Sequence, residues 1–149
     1  MKIQPYLFFN GDCEEAFRFY EKALGGKINE LHRFNEMPPQ ENAGGSDDGC
    51  GGMDMSGMGD KIMHASLSVG DQMIMGSDGD MKDFKPIQGV RVAIGIDDAK
   101  KGGKVFDALA EGGKVEMPYG ETFWAQGFGM CTDKFGVPWM VNAGDKPSP

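Results

Sequence analysis

The chain has few of the groups on which small-protein chemistry is usually built. Its 149 residues include two histidines, His32 and His64, and three cysteines, Cys13, Cys50 and Cys131. An odd cysteine count at no ligand-like spacing supports neither a disulfide framework nor a thiolate zinc site, and fits reduced thiols in a cytoplasm. No apolar run approaches the roughly 20 residues of a membrane span. The opening MKIQPYLFF lacks the apolar centre and cleavage site of a signal peptide. A soluble, cytoplasmic chain with no membrane partner is expected. Positive charge is scarce too: 15 Lys and Arg against 23 Asp and Glu give a formal charge of -8, with no basic run longer than Lys100-Lys101. That balance repels polyphosphate, so no nucleic-acid partner is expected.

Glycine and large apolar side chains are plentiful: 24 Gly, 12 Met and 10 Phe. Their order is informative. An apolar strand from Ile3 to Phe9 meets the turn Asn10-Gly11-Asp12, where Asp12 is placed to cap a helix with Glu15 in the capping-box position. Ala16, Phe17, Tyr20 and Leu24 share one helical face. Gly25-Gly26 then stops the helix, and Lys27 to Phe34 resumes as a strand. The grammar returns downstream: strand Val90 to Ile96, Asp97-Asp98, a helix through Ala110 with Val105, Phe106 and Leu109 on one side, and Gly112-Gly113-Lys114. Matching the two Gly-Gly-Lys tripeptides aligns the halves, although the second helix carries the unfavourable pair Gly102-Gly103.

Each half finishes with a hairpin, Lys61 to Val69 with Gln72 to Gly76 in the first and Phe123 to Thr132 with Val137 to Asn142 in the second. The stretch from Glu36 to Asp60 is rich in Gly, Asp, Ser and Met and is expected to form a flexible loop. Residues 144–149 read as a tail.

Two such modules in tandem, carrying PYLFFNGDCEEAFRFYEKALGGK, KIMHASLSVGDQMIMGSD and TFWAQGFGMCTDKFGVPWMVN, resemble the vicinal oxygen chelate superfamily of glyoxalase I, bleomycin-resistance proteins and dioxygenases, and specifically its PhnB-like branch. The resemblance implies an α+β fold, a single domain of two β-α-β-β-β modules at about 1–80 and 88–143 forming a curled mixed sheet around a concave cleft. It also implies a homodimer. Enzymes of the superfamily hold a divalent metal through His, Glu or Gln on four inner strand faces. Here alignment puts Pro5, Arg91 and Met140 at three of those positions and the fourth near Met75, a set with no donor suited to a hard cation, so no metal and no cofactor are expected.

Strand alternation aims Trp124, Gln126, Phe128, Met130 and Met140 inward, and places Phe123, Cys131, Trp139 and Val141 against the helices. With Leu7, Phe9, His64, Met75 and Arg91, the inward set is the expected ligand-binding surface, aromatic walls with few polar groups. Binding of a small apolar or planar molecule is the leading expectation. A metal-dependent glyoxalase or dioxygenase with unrecognised ligands is the alternative. A 3-demethylubiquinone 3-methyltransferase activity is less favoured, because no Gly-rich turn after a parallel strand is present to cradle S-adenosylmethionine.

Overall fold

A computed structural model describes residues 1–36, 59–79 and 83–147. The expected loop from Glu36 to Asp60 lies, apart from its two ends, outside the described residues. The order of elements is β1 Tyr6–Phe9, α1 Cys13–Leu24, β2 Lys27–Arg33, a short 3-10 turn Phe34–Glu36, β3 Ile62–Val69, β4 Gln72–Asp78, β5 Val92–Ile96, α2 Ala99–Ala110, β6 Lys114–Gly120, β7 Ala125–Thr132 and β8 Pro138–Asp145. These form two compact units. The first is Met1–Glu21 with Gly25–Phe84, and the second is Lys22–Leu24 with Lys85–Pro149.

Both units contain a four-stranded mixed sheet of the same topology, β1-β4-β3-β2 in the first and β5-β8-β7-β6 in the second. In each, the strand before the helix pairs in parallel with the last strand, and the remaining pairs are antiparallel. The repeat seen in the sequence is therefore structural.

The Gly-Gly-Lys tripeptides show why. Gly25 and Gly112 take φ of 69° and 75°, the left-handed conformation that turns the chain out of each helix. The second glycine has a different task. A Cβ on Gly26 would stand 2.5 Å from the Ser68 carbonyl oxygen, and one on Gly113 would collide with that of Thr132. Lys27 then pairs with Ser68 and Lys114 with Thr132, so both modules start the strand at one register.

In the first unit Phe9 meets Phe17 and Tyr20 of α1 at centroid distances of 6.1 and 6.4 Å. Leu67, Ala65 and Ile62 are buried with them, each large side chain contributing about 1.5–3 kcal/mol. Asp12 makes no side-chain cap, contrary to expectation. Asp78, at the end of β4, does that work instead. Its Oδ1 accepts from the amides of Gly11 and Cys13 at 2.9 and 3.0 Å, and its Oδ2 from the Ile62 amide at 2.9 Å. In the second unit Asp98 caps α2 itself, accepting from the Lys100 amide.

The pair Gly102-Gly103 also finds its reason. Tyr119 of β6 lies against α2, so that a Cβ on Gly102 would approach its hydroxyl at 2.6 Å. That hydroxyl donates to the Ala99 carbonyl at 2.6 Å. Gly127 of β7 clears the same ring, and Gly129 clears Phe106 of α2 and the Tyr119 backbone. The helix-propensity cost of two glycines is offset by a close helix-sheet approach.

Candidate functional site

In the second unit Gly127, Gly129 and Ala143 face α2 and its Tyr119 partner, so alternation turns Phe128, Met130, Met140 and Asn142 to the opposite face. Met130 and Met140 are direct cross-strand partners there. Trp124, just before β7, completes the surface. Its indole N–H donates to Asn142 Oδ1 at 3.0 Å, and its ring meets Phe128 edge-on at 5.1 Å. Asn142 in turn donates to Asp145 Oδ1 at 2.6 Å. The indole is thus fixed at one edge by hydrogen bonding and at another by packing, yet stays 38% exposed. Gln126 is exposed on the same strand, its side chain lying over Gly144.

The expected helix-facing set holds for Cys131, Trp139 and Val141, all fully buried. Phe123 departs from it. Strand β7 begins only at Ala125, and Phe123 is 80% exposed, edge-on to Trp124 at 4.8 Å. Among the buried groups, the Cys131 thiol is pushed up to about 11 by desolvation first, then by Asp133 and Glu116. The Cys13 thiol is likewise raised, chiefly by desolvation. Neither is a nucleophile in this state.

Arg91 occupies the wall of a cleft of about 390 Å³ bordered by Ile87 to Val90, Glu116, Thr132 and Pro138. Its guanidinium forks onto Glu116 at 3.2 and 3.0 Å and also donates to the Cys131 and Trp139 carbonyls at 3.3 Å. Thr132 donates to the same carboxylate at 3.0 Å. The Arg91 hydrogen bonds, foremost, hold Glu116 below the usual carboxylate range. Arg91 is therefore a tie across the strand ends rather than a free cation reaching for a ligand.

In the first unit two of the sequence-derived site residues fall on the wrong side. Leu7 and Phe9 are 6% and 1% exposed, on the helix-facing side of β1. The opposite face carries Tyr6 and Phe8, with Met75 paired to Tyr6 and to Ser66. His64 joins them: its Nδ1 lies 3.3 Å from the Tyr6 hydroxyl, and its Nε2 lies 3.5 Å from Glu30 Oε2. Ser66 donates to that same oxygen at 3.1 Å. Tyr6, Glu30 and Ser66 were not anticipated from the sequence. A hint was available in the alternation of Glu30 and His32 on a strand whose register the Gly-Gly-Lys turn sets.

The sheet registers also revise the metal positions. Beside Met75 stands Tyr6, not Pro5, and beside Met140 stands Ala93, with Arg91 two residues earlier. The turn Asn10-Gly11-Asp12 is one residue longer than Asp97-Asp98, and a one-residue slip exchanges the faces of a strand. In the first unit a phenol and a thioether, and in the second an alanine, a thioether and an arginine already committed to Glu116, do not suit a hard divalent cation. Among the described residues no three His, Cys, Asp or Glu side chains form a metal cage, and no helix is long and apolar enough to cross a membrane.

A family model described as the Glyoxalase/Bleomycin resistance protein/Dioxygenase superfamily matches residues 2–141. Protein YjdN of Escherichia coli K12 is 38% identical over 143 residues, 95% of either chain. Among solved structures, PA1353 of Pseudomonas aeruginosa is 42% identical with a TM-score of 0.80, covering 96% of this chain and 97% of that one. A PhnB protein of Bacillus cereus, named as a 3-demethylubiquinone-9 3-methyltransferase candidate, shares the fold at 24% identity, with a TM-score of 0.73 and coverage of 96% and 99%.

Proposed function

Because this chain belongs to the Glyoxalase/Bleomycin resistance protein/Dioxygenase superfamily, we propose that it uses that fold to bind a small planar or apolar molecule without a metal. The observation that carries the reading is Trp124, a half-exposed indole already held by Asn142 and Phe128. A large ring fixed before the ligand arrives offers contact area at little entropic cost. Phe128, Met130 and Met140 extend the apolar surface, and the soft thioethers adapt to a ligand's outline. Gln126 and Asn142 supply the few polar groups that orient it. The reading includes a homodimer in which a second copy covers apolar surface that one chain leaves open.

The test is tryptophan emission during titration with a naphthalene probe, 1-anilinonaphthalene-8-sulfonate. Binding should quench or shift the emission. Trp124→Ala should weaken it by about 1–3 kcal/mol, more than Gln126→Ala does. Affinity left intact by Trp124→Ala would sink the proposal.

A further inference from the structure

The polar chain on the first unit's sheet has the connectivity of a proton relay. Tyr6, 39% exposed, presents its hydroxyl to His64 Nδ1 at 3.3 Å while the two rings stack at 5.7 Å. The far nitrogen of His64 faces the Glu30 carboxylate at 3.5 Å. Glu30 is itself anchored by the hydroxyl of fully buried Ser66. A carboxylate at Nε2 favours the tautomer with the proton on Nε2, which leaves Nδ1 to accept the Tyr6 O–H. The Tyr6 oxygen then keeps lone pairs for a ligand, on a ring whose centroid lies 5.2 Å from that of exposed Phe8 and whose residue pairs with Met75 across the sheet.

We propose that Tyr6, His64 and Glu30 form a proton-accepting site for a ligand bearing a weakly acidic hydroxyl, a phenol or an enol. The step balances within the chain. The ligand O–H proton passes to the Tyr6 oxygen as the Tyr6 proton passes to His64 Nδ1, giving a ligand oxyanion that accepts from the re-formed Tyr6 O–H and an imidazolium beside Glu30. No oxidant or metal is consumed. The logic is that of a nucleophile-histidine-carboxylate triad with a phenol in the first place, and the long contacts are of the kind that tighten on occupation. Tyr6 is the residue that touches the ligand; His64 takes up its proton and Glu30 holds the imidazole in place. Among the described residues, the other titratable groups at this face are His32, 3.9 Å from Glu30, and Glu36 beyond it at 3.9 Å. The two carboxylates disfavour an anion unless the proton stays on the relay.

The site lies in the first unit and does not depend on Trp124. The experiment is a spectrophotometric pH titration of 4-nitrophenol, whose ionised form absorbs in the visible, with the full chain in excess. The phenolate band should appear about one pH unit lower than in buffer, an approximately tenfold preference for the anion. Tyr6→Phe and His64→Gln should each abolish the displacement with the melting temperature retained, and Glu30→Gln should reduce it. A bound probe that ionises as in water, a displacement that survives Tyr6→Phe, or no binding up to millimolar probe would overturn the proposal.

Discussion

Trp139 is fully buried and donates its indole N–H to Asp133 Oδ2 at 2.7 Å, while Asp133 Oδ1 accepts from the Phe135 and Val137 amides. Trp124 uses its N–H to hold an exposed ring. The two tryptophans should therefore separate cleanly in experiment. Trp139→Phe removes buried volume and a bond to a carboxylate, and should cost about 2–4 kcal/mol, lowering the melting temperature by on the order of 5–10 °C with probe affinity nearly intact. A melting temperature unchanged by Trp139→Phe would contradict this. Glu116 supplies a pH signature. Its folded-state pKa is lowered, first by the Arg91 hydrogen bonds, so its contribution is present above the ordinary carboxylate pKa and is lost as pH falls through the lowered value. Acid unfolding followed by circular dichroism should accordingly be shallower in Glu116→Gln than in the parent. Neither Tyr6 with Met75 in the first unit nor Ala93, Arg91 and Met140 in the second suits a hard cation, so Mn²⁺ should give no one-to-one thermal stabilisation, and a stoichiometric shift would reveal ligands not recognised. Residue-scale reading of the sequence succeeded where alternation was unambiguous, as at Trp139 and Val141. It failed at Leu7 and Phe9, because Tyr6, Leu7, Phe8 and Phe9 are all large and apolar, so hydrophobicity carries no phase.

At the scale of elements, the two glycines after each helix predict unequal costs. Gly112→Ala places a Cβ at positive φ and should cost about 1 kcal/mol. Gly113→Ala drives a Cβ into the Thr132 and Asp133 backbone and should cost more, about 1–3 kcal/mol, because backbone cannot step aside as a side chain can. Denaturant unfolding of the two variants measures the order, and equal costs would refute the close-approach argument. Helix, strand and hairpin order was legible because these signals are local: Gly-Gly stops, Asp caps, Gly-containing turns. The cap of α1 was not. Asp12 has the right identity, but Asp78 holds the amides from the end of β4, and nothing near Asp12 announces a competitor so distant in the chain. The Tyr6–His64–Glu30 chain was hidden for the same reason, since its members come from β1, β3 and β2 and meet only once the sheet is assembled.

For the whole molecule, the repeat of one module in two units makes the fold legible and leaves apolar surface at Phe8, Val115 and Phe123. Surface of this kind is commonly covered by closed, two-fold association. Light scattering should return twice the chain mass across micromolar concentrations, and a monomer throughout would remove the homodimer from the proposed function.

The Asp78 carboxylate joins three segments that are remote in the chain: the turn at Gly11, the first residue of α1 and the start of β3. None of these amides finds that acceptor until β4 has docked, so their protection from solvent deuterium is an all-or-none property. In native-state hydrogen exchange, Gly11, Cys13 and Ile62 should therefore open together as one cooperative unit. In Asp78→Asn the three should lose protection by a common factor, since one weakened acceptor loosens the turn, the helix and the strand at once.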